Sequence, residues 1–217
     1  MLIRTPGVYR PQADTRLLAE AMSGAGIAPR SRVLDVCTGT GALAIEAARN
    51  HGASVTAVDI SRTAVASARL NSRLRGLDIE FVRGDFRTAL RDRTFDVVIS
   101  NPPYVPCRDD GPPRGTARSW DAGIDGRSAI DALCALTPEI LSETGILLMV
   151  HSALCGVEAT LSGLRGAGLK ASVVSRATIP FGPVMSGRSA WLLDRGLIEA
   201  GQSYEELVVI RADRSRR

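Results

Sequence analysis

Apolar residues along this chain fall into short dense runs that alternate with stretches of helical period. The runs at 32–36, 54–58, 79–82, 95–99, 145–150, 169–175 and 206–210 are rich in Val, Ile and Leu, which predicts buried strands. Between them, 42–50, 61–74, 128–141 and 157–165 carry the three- and four-residue spacing of helices. Ser61 stands where the helix after the second strand needs a side-chain cap. A further amphipathic helix at 12–25 precedes the first strand, with Leu17, Leu18 and Ala21 on one face. Regular alternation of this kind predicts one α/β domain across 1–217, its sheet mainly parallel and covered on both faces.

Two segments break the pattern. Residues 102–126 carry Pro, Gly and Arg without periodicity, as expected of a substrate-facing loop. Residues 211–217 hold four arginines and are expected to fray as a basic tail.

Composition narrows the classes. Hydrophobic residues at 45% supply a full core, and 23% charged is ordinary for a globular domain. The net charge is +4 and Lys170 is the single lysine, so the positive charge is nearly all arginine. Arginine suits carboxylates and phosphates alike, so charge alone selects no nucleic-acid partner. Cys37, Cys107, Cys134 and Cys155 show no C-x-x-C spacing, and His51 and His151 are the only histidines. That excludes a zinc site from the expectations and reads as free thiols of a reducing compartment. The first residues lack a signal-peptide pattern and no apolar stretch reaches membrane-spanning length, so a cytoplasmic protein with no membrane contact is expected.

The first strand ends in Asp35-Val36-Cys37-Thr38-Gly39-Thr40-Gly41 and leads into a helix. Gly39 and Gly41 allow a sharp turn and close approach of a ligand to the backbone. Asp59 closes the second strand about twenty residues beyond Gly39, where an acidic residue meets ribose hydroxyls. A nucleoside-containing ligand is therefore expected at the switch point of the sheet. Ala44 stands where a pyrophosphate-binding turn has its third glycine, and Asp35 repels pyrophosphate but suits an ammonium group. Asp85 could accept from an adenine amino group, and Ile60 or Phe86 could pack on the ring. These features favour S-adenosyl-L-methionine over a nicotinamide dinucleotide. Taken singly, Asp59 and Asp85 could also be no more than caps.

Asn101-Pro102-Pro103-Tyr104 follows directly on the strand at 95–100. The Asn101 carboxamide can accept a hydrogen bond, and the Pro102 carbonyl precedes a tertiary amide with no N–H. Each of these residues precedes a proline, which pushes it into an extended conformation, and the rings fix φ. Tyr104 adds a flat apolar face. Two fixed acceptors beside an aromatic plate suit a planar –NH2 group presented for alkylation.

These residues together resemble the class I S-adenosylmethionine-dependent methyltransferases, and within them the release-factor glutamine methyltransferases of the HemK/PrmC type. Two further segments carry the likeness. Val8-Tyr9-Arg10-Pro11-Gln12-Ala13-Asp14-Thr15 is similar to the opening of short archaeal and eukaryotic members, and Trp120-Asp121-Ala122-Gly123-Ile124-Asp125-Gly126 to a segment after their catalytic motif. The resemblance implies a Rossmann-like, seven-stranded sheet with an antiparallel last strand. It implies that Tyr9, Pro11 and Thr15 close the cofactor pocket, with Asp14 nearby. Asp35, Thr38, Gly39, Gly41, Asp59, Ile60, Asp85 and Phe86 then line that pocket with Asn101, while Asn101, Pro102, Pro103 and Tyr104 hold the acceptor. Cys37 replaces the first glycine of the family's turn, so a negative φ is expected there.

The expected activity is methyl transfer to a glutamine side chain of a peptide chain release factor. The alternative acceptor is an exocyclic amine of rRNA or DNA, because a base amine is also a planar –NH2. A third reading is a cofactor-binding subunit without activity, against which the intact Asn101–Tyr104 motif stands. Short members of the family often work beside a small activating subunit.

Overall fold

The computed structural model describes residues 2–109, 111 and 113–214. In chain order the elements are α1 (Ala13–Ser23), β1 (Arg32–Val36), α2 (Ala42–Asn50), β2 (Ser54–Asp59), α3 (Arg62–Arg73), β3 (Ile79–Arg83), α4 (Phe86–Ala89), β4 (Phe95–Ser100), α5 (Ser128–Ile140), β5 (Leu141–Ser152), α6 (Val157–Gly166), β6 (Leu169–Pro180), α7 (Pro183–Asp194) and β7 (Tyr204–Arg214).

The strands form one sheet in the order β3-β2-β1-β4-β5-β7-β6. The pairs from β3 to β5 are parallel, and β7 runs antiparallel to both β5 and β6. Side chains alternate cleanly across the sheet. Leu34, Val36, Val98, Leu147 and Met149 pack under α5 and α6, with Ile130, Leu133, Leu161 and Leu164 from those helices. Val33, Val97, Ile99, Leu148 and Val150 pack on the other face, against Leu17, Leu18 and Met22 of α1 and Leu43, Ile45 and Ala47 of α2. Burial on both faces is why these strands read as continuous apolar runs. The strand order reverses between β1 and β4, and the crevice at their C-terminal ends is where such sheets take ligands.

Three expectations need correction. The tail is no frayed end from 211 to 214: Arg211 to Arg214 finish β7, Arg211 pairs with Asp213 at 2.8 Å, and Arg214 Nη1 donates to the Leu141 carbonyl. Ala212 is fully buried between the two arginines, which lets the ladder continue; 215–217 lie outside the described residues. The 102–126 segment is not structureless. It holds a 3-10 turn at Gly115–Ser119 and a bridge between Val105 and Asp121, so backbone pairing replaces the missing side-chain period. The first helix is shorter than 12–25, because Gln12 is already extended (φ −130°) and Gly24 caps the end.

Candidate active site

The C-terminal ends of β1, β2 and β4 open into a cavity of about 1130 Å³, room for a nucleoside ligand and a second substrate together. Thr38, Gly39, Asp59, Ile60, Asp85 and Phe86 line it, as do Tyr9, Pro11 and Thr15 from the N-terminal segment. Asn101, Pro102, Pro103 and Tyr104 face the same space, together with Val105, Trp120 and Asp121.

The turn after β1 is built by hydrogen bonds that the local sequence dictates. Cys37 takes φ +62°, contrary to the negative value expected of a non-glycine residue. The turn swings the chain so that the Thr38 amide donates to the Val58 carbonyl of the neighbouring strand (3.1 Å), a bond that offsets part of a left-handed cost of roughly 1–2 kcal/mol. Gly39 N donates to Asp59 Oδ2 (3.0 Å) and Ser61 N to Oδ1 (2.8 Å). Asp59 thus steadies both the turn and the start of α3, and still has lone pairs for a diol. Burial raises its pKa, and the two amides oppose the rise.

Asp35 and Gly41 do not line the cavity. Asp35 is fully buried behind the turn, where Thr38 Oγ1 (2.6 Å) and Ala44 N (3.1 Å) both donate to Oδ2. Its other oxygen has no partner among the described residues, and burial pushes the carboxyl up to about 7. Gly41 serves packing instead. A Cβ there would lie 3.0 Å from the Ala68 Cβ, so its absence lets α2 close on α3. Asp85 does reach the wall, but Arg87 pairs with it at 2.5 Å and holds its carboxyl below the usual range. A ligand amine at that position has to compete with the guanidinium.

At the other end, Ser100 Oγ donates to the Val36 carbonyl (2.9 Å), tying β4 to β1 immediately before the motif. Asn101 Nδ2 donates to Thr15 Oγ1 (3.4 Å), which turns Oδ1 outward from that bond as an acceptor. Among the described residues nothing donates to the Pro102 carbonyl. Asp14, expected only nearby, is the hub of the site. Its Oδ2 accepts from the hydroxyls of Tyr9 (2.9 Å) and Tyr104 (3.1 Å), and its Oδ1 accepts from the Thr15 amide (2.6 Å) and hydroxyl (3.2 Å). The sequence signal was present: Asp14 shares the buried face of α1 with Leu17, Leu18 and Met22, and a carboxylate there demands partners. Burial, followed by the Asp14 charge, pushes the Tyr104 phenol well up, so it remains a neutral donor. The Tyr104 carbonyl accepts from Cys155 Sγ (3.0 Å), and the backbone behind it is closely packed against Gly126.

A switch-point nucleoside cavity that ends in Asn-Pro-Pro-Tyr is the arrangement of a class I S-adenosylmethionine-dependent N-methyltransferase. Residues 2–111 match the methyltransferase small domain family, and the chain belongs to that family. It is 30% identical over 189 residues to a Methanocaldococcus jannaschii protein provisionally assigned as a protein N5-glutamine methyltransferase, covering 87% of this chain and 93% of that one. It is 35% identical over 175 residues to the release factor glutamine methyltransferase of Bordetella pertussis, covering 76% of this chain and 64% of that one. The chain therefore spans less than two thirds of that bacterial enzyme. A structure of the E. cuniculi Mtq2–Trm112 complex, responsible for methylating the eRF1 termination factor, shares the fold with a TM-score of 0.68 at 24% identity, covering 96% of this chain and 99% of that one. Among the described residues no helix is long and apolar enough to cross a membrane, and no group of three His, Cys, Asp or Glu is placed to hold a metal.

Proposed function

We propose that this protein transfers a methyl group from S-adenosyl-L-methionine to the side-chain amide nitrogen of a glutamine in a peptide chain release factor, in the cytoplasm. The observation that carries the reading is the Asn101 carboxamide, held by its nitrogen on Thr15 and so left with its oxygen to accept, next to an uncommitted Pro102 carbonyl. The residues present suit the cofactor. Asp59 offers acceptors for a ribose diol, and Phe86 and Ile60 offer apolar surface for a base.

When bound, the cofactor supplies a methyl carbon activated by a sulfonium. An amide nitrogen is a poor nucleophile because its lone pair is shared with the carbonyl. Asn101 Oδ1 and the Pro102 carbonyl accept its two hydrogens, orient the nitrogen and raise its electron density. Tyr104, fixed through Asp14, covers the flat face of the amide. Holding nitrogen and carbon in line is the main gain, since effective molarities for such positioning reach about 10⁵–10⁸ M. The methylated nitrogen then gives up a proton to water.

The test is transfer of labelled methyl into purified release factor, ribosomal RNA and DNA side by side. Label in release factor, lost when the acceptor glutamine is changed to Ala, is the expected result; label in nucleic acid alone overturns the glutamine reading. Asn101→Ala is expected to abolish turnover with cofactor affinity nearly unchanged.

A further inference from the structure

We infer that Arg188, on α7, is a positioning residue that fixes the acceptor-side wall of the cavity. α7 lies between β6 and β7, far along the chain from every motif of the site, and Arg188 does not line the cavity. Its Nη1 nevertheless reaches two points on the wall, donating to the Pro106 carbonyl (2.8 Å) and lying 2.7 Å from Asp121 Oδ1 as an ion pair, an oxygen that accepts no hydrogen bond among the described residues. The pair is largely enclosed, the two side chains being 25% and 14% exposed, so water competes with it poorly.

The two anchor points belong to one small unit. Val105 N donates to the Trp120 carbonyl (2.7 Å), Ala122 N to the Val105 carbonyl (3.1 Å) and Cys107 N to the Gly123 carbonyl (2.8 Å). This bridge joins the chain leaving Tyr104 to the segment at 120–123, and Val105, Trp120 and Asp121 all face the cavity. Arg188 grips both sides of the bridge with one nitrogen. An apolar patch of Met185, Leu192 and Ile198, against which Val105 packs, seats α7 on the same wall. Among the described residues no hydrogen bond or ion pair links Arg188, Pro106 or Asp121 to the turn at 37–41, Asp59 or Asp85. Loss of the grip is therefore expected to loosen the acceptor side first, the nearest tie to the N-terminal segment being the Ser119 hydroxyl on the Gly7 carbonyl (3.0 Å), and to leave the turn at 37–41, Asp59 and Asp85 in place.

The kinetic part of the test rests on the methyl-transfer reading, while its spectroscopic part does not. Arg188→Met keeps the length and apolar stem but removes the charge; Arg188→Lys keeps a point donor able to serve both anchors. For whichever acceptor the unaltered enzyme methylates, Arg188→Met is expected to lower kcat/KM about 10- to 100-fold, the scale of a misplacement near 1 Å, with the cofactor Kd within about twofold. Arg188→Lys is expected to recover much of the loss, and Asp121→Asn to reproduce it without adding to it in the double variant. Independently of any acceptor, Trp120 is one of two tryptophans. In a Trp191→Phe background its quenching by acrylamide is expected to rise on Arg188→Met and to return on Arg188→Lys. Unchanged Trp120 quenching in a folded Arg188→Met protein overturns the inference, as does an equal loss of cofactor affinity. A protein that methylates nucleic acid but shows the Trp120 response overturns the glutamine reading and leaves this one standing.

Discussion

Asp14 Oδ2 accepts a hydrogen bond from the Tyr104 hydroxyl at 3.1 Å, joining a helix that precedes the sheet to a ring ninety residues further along the chain. Because Asp14 also holds Tyr9 and Thr15, and Thr15 holds Asn101, one buried carboxylate sets the geometry of the whole acceptor end. Asp14→Asn puts a donor where an acceptor is needed. The expected outcome is a stability loss of about 1–3 kcal/mol in urea unfolding and a turnover loss of about 10- to 100-fold. Tyr104→Phe, which keeps the plate and drops one bond, is expected to cost less in both. Wild-type turnover in Asp14→Asn would remove the hub from the account.

Asp59→Ala deletes the acceptor for two backbone amides as well as the group facing the diol. Calorimetric titration is expected to show cofactor binding weakened about 10- to 100-fold, the scale of one or two hydrogen bonds to a charged group. Saturating cofactor is expected to restore most of the turnover, the reverse of Asn101→Ala.

Asp35 makes stability depend on pH in an unusual direction. Its folded pKa of about 7 lies above the ordinary 3.8, so the folded protein holds this proton more tightly than the unfolded chain does. The contribution is fully present below about pH 4 and is lost as pH rises through about 7. Over that window the cofactor-free protein is expected to lose on the order of 4 kcal/mol from this group, at about 1.4 kcal/mol per unit. Asp35→Asn, which can still accept from Thr38 and Ala44, is expected to flatten that slope in unfolding curves taken at successive pH values.

Gly126→Ala tests the packing behind the motif. Gly126 has φ +73°, and a Cβ there would meet the Tyr104 carbonyl at 2.4 Å and Cys155 Sγ at 2.9 Å. Overpacking of backbone costs about 1–3 kcal/mol, and relief by movement of Tyr104 is expected to raise the acceptor KM while cofactor binding holds. A fall in Tm without any kinetic change would mean the carbonyl yields without moving the ring.

The strands and most helices were legible in the sequence because each has one strong period and both sheet faces are apolar. α7 was not, since its apolar residues Val184, Met185, Trp191, Leu192 and Leu193 gather at its two ends rather than along one face. The motif residues Asn101 to Tyr104 and the glycine turn were visible because rare residue types mark them. What sequence could not show was direction: Asp35 faces inward and is spent on the turn, Asp85 is spent on Arg87, and Asp14 is central only because Tyr9 and Tyr104 converge on it in space. The left-handed Cys37 is likewise a demand of neighbouring strands, invisible in local propensity.

The strand at Tyr204–Arg214 sits between β5 and β6, although it follows both in the chain. A nascent polypeptide stopped anywhere before residue 204 therefore leaves two ladders open to strangers, the state in which sheets aggregate. Synthesis has to pass residue 214 before this sheet can seal itself, so products truncated ahead of that strand are expected to partition to chaperones or inclusion bodies rather than persist as a working half.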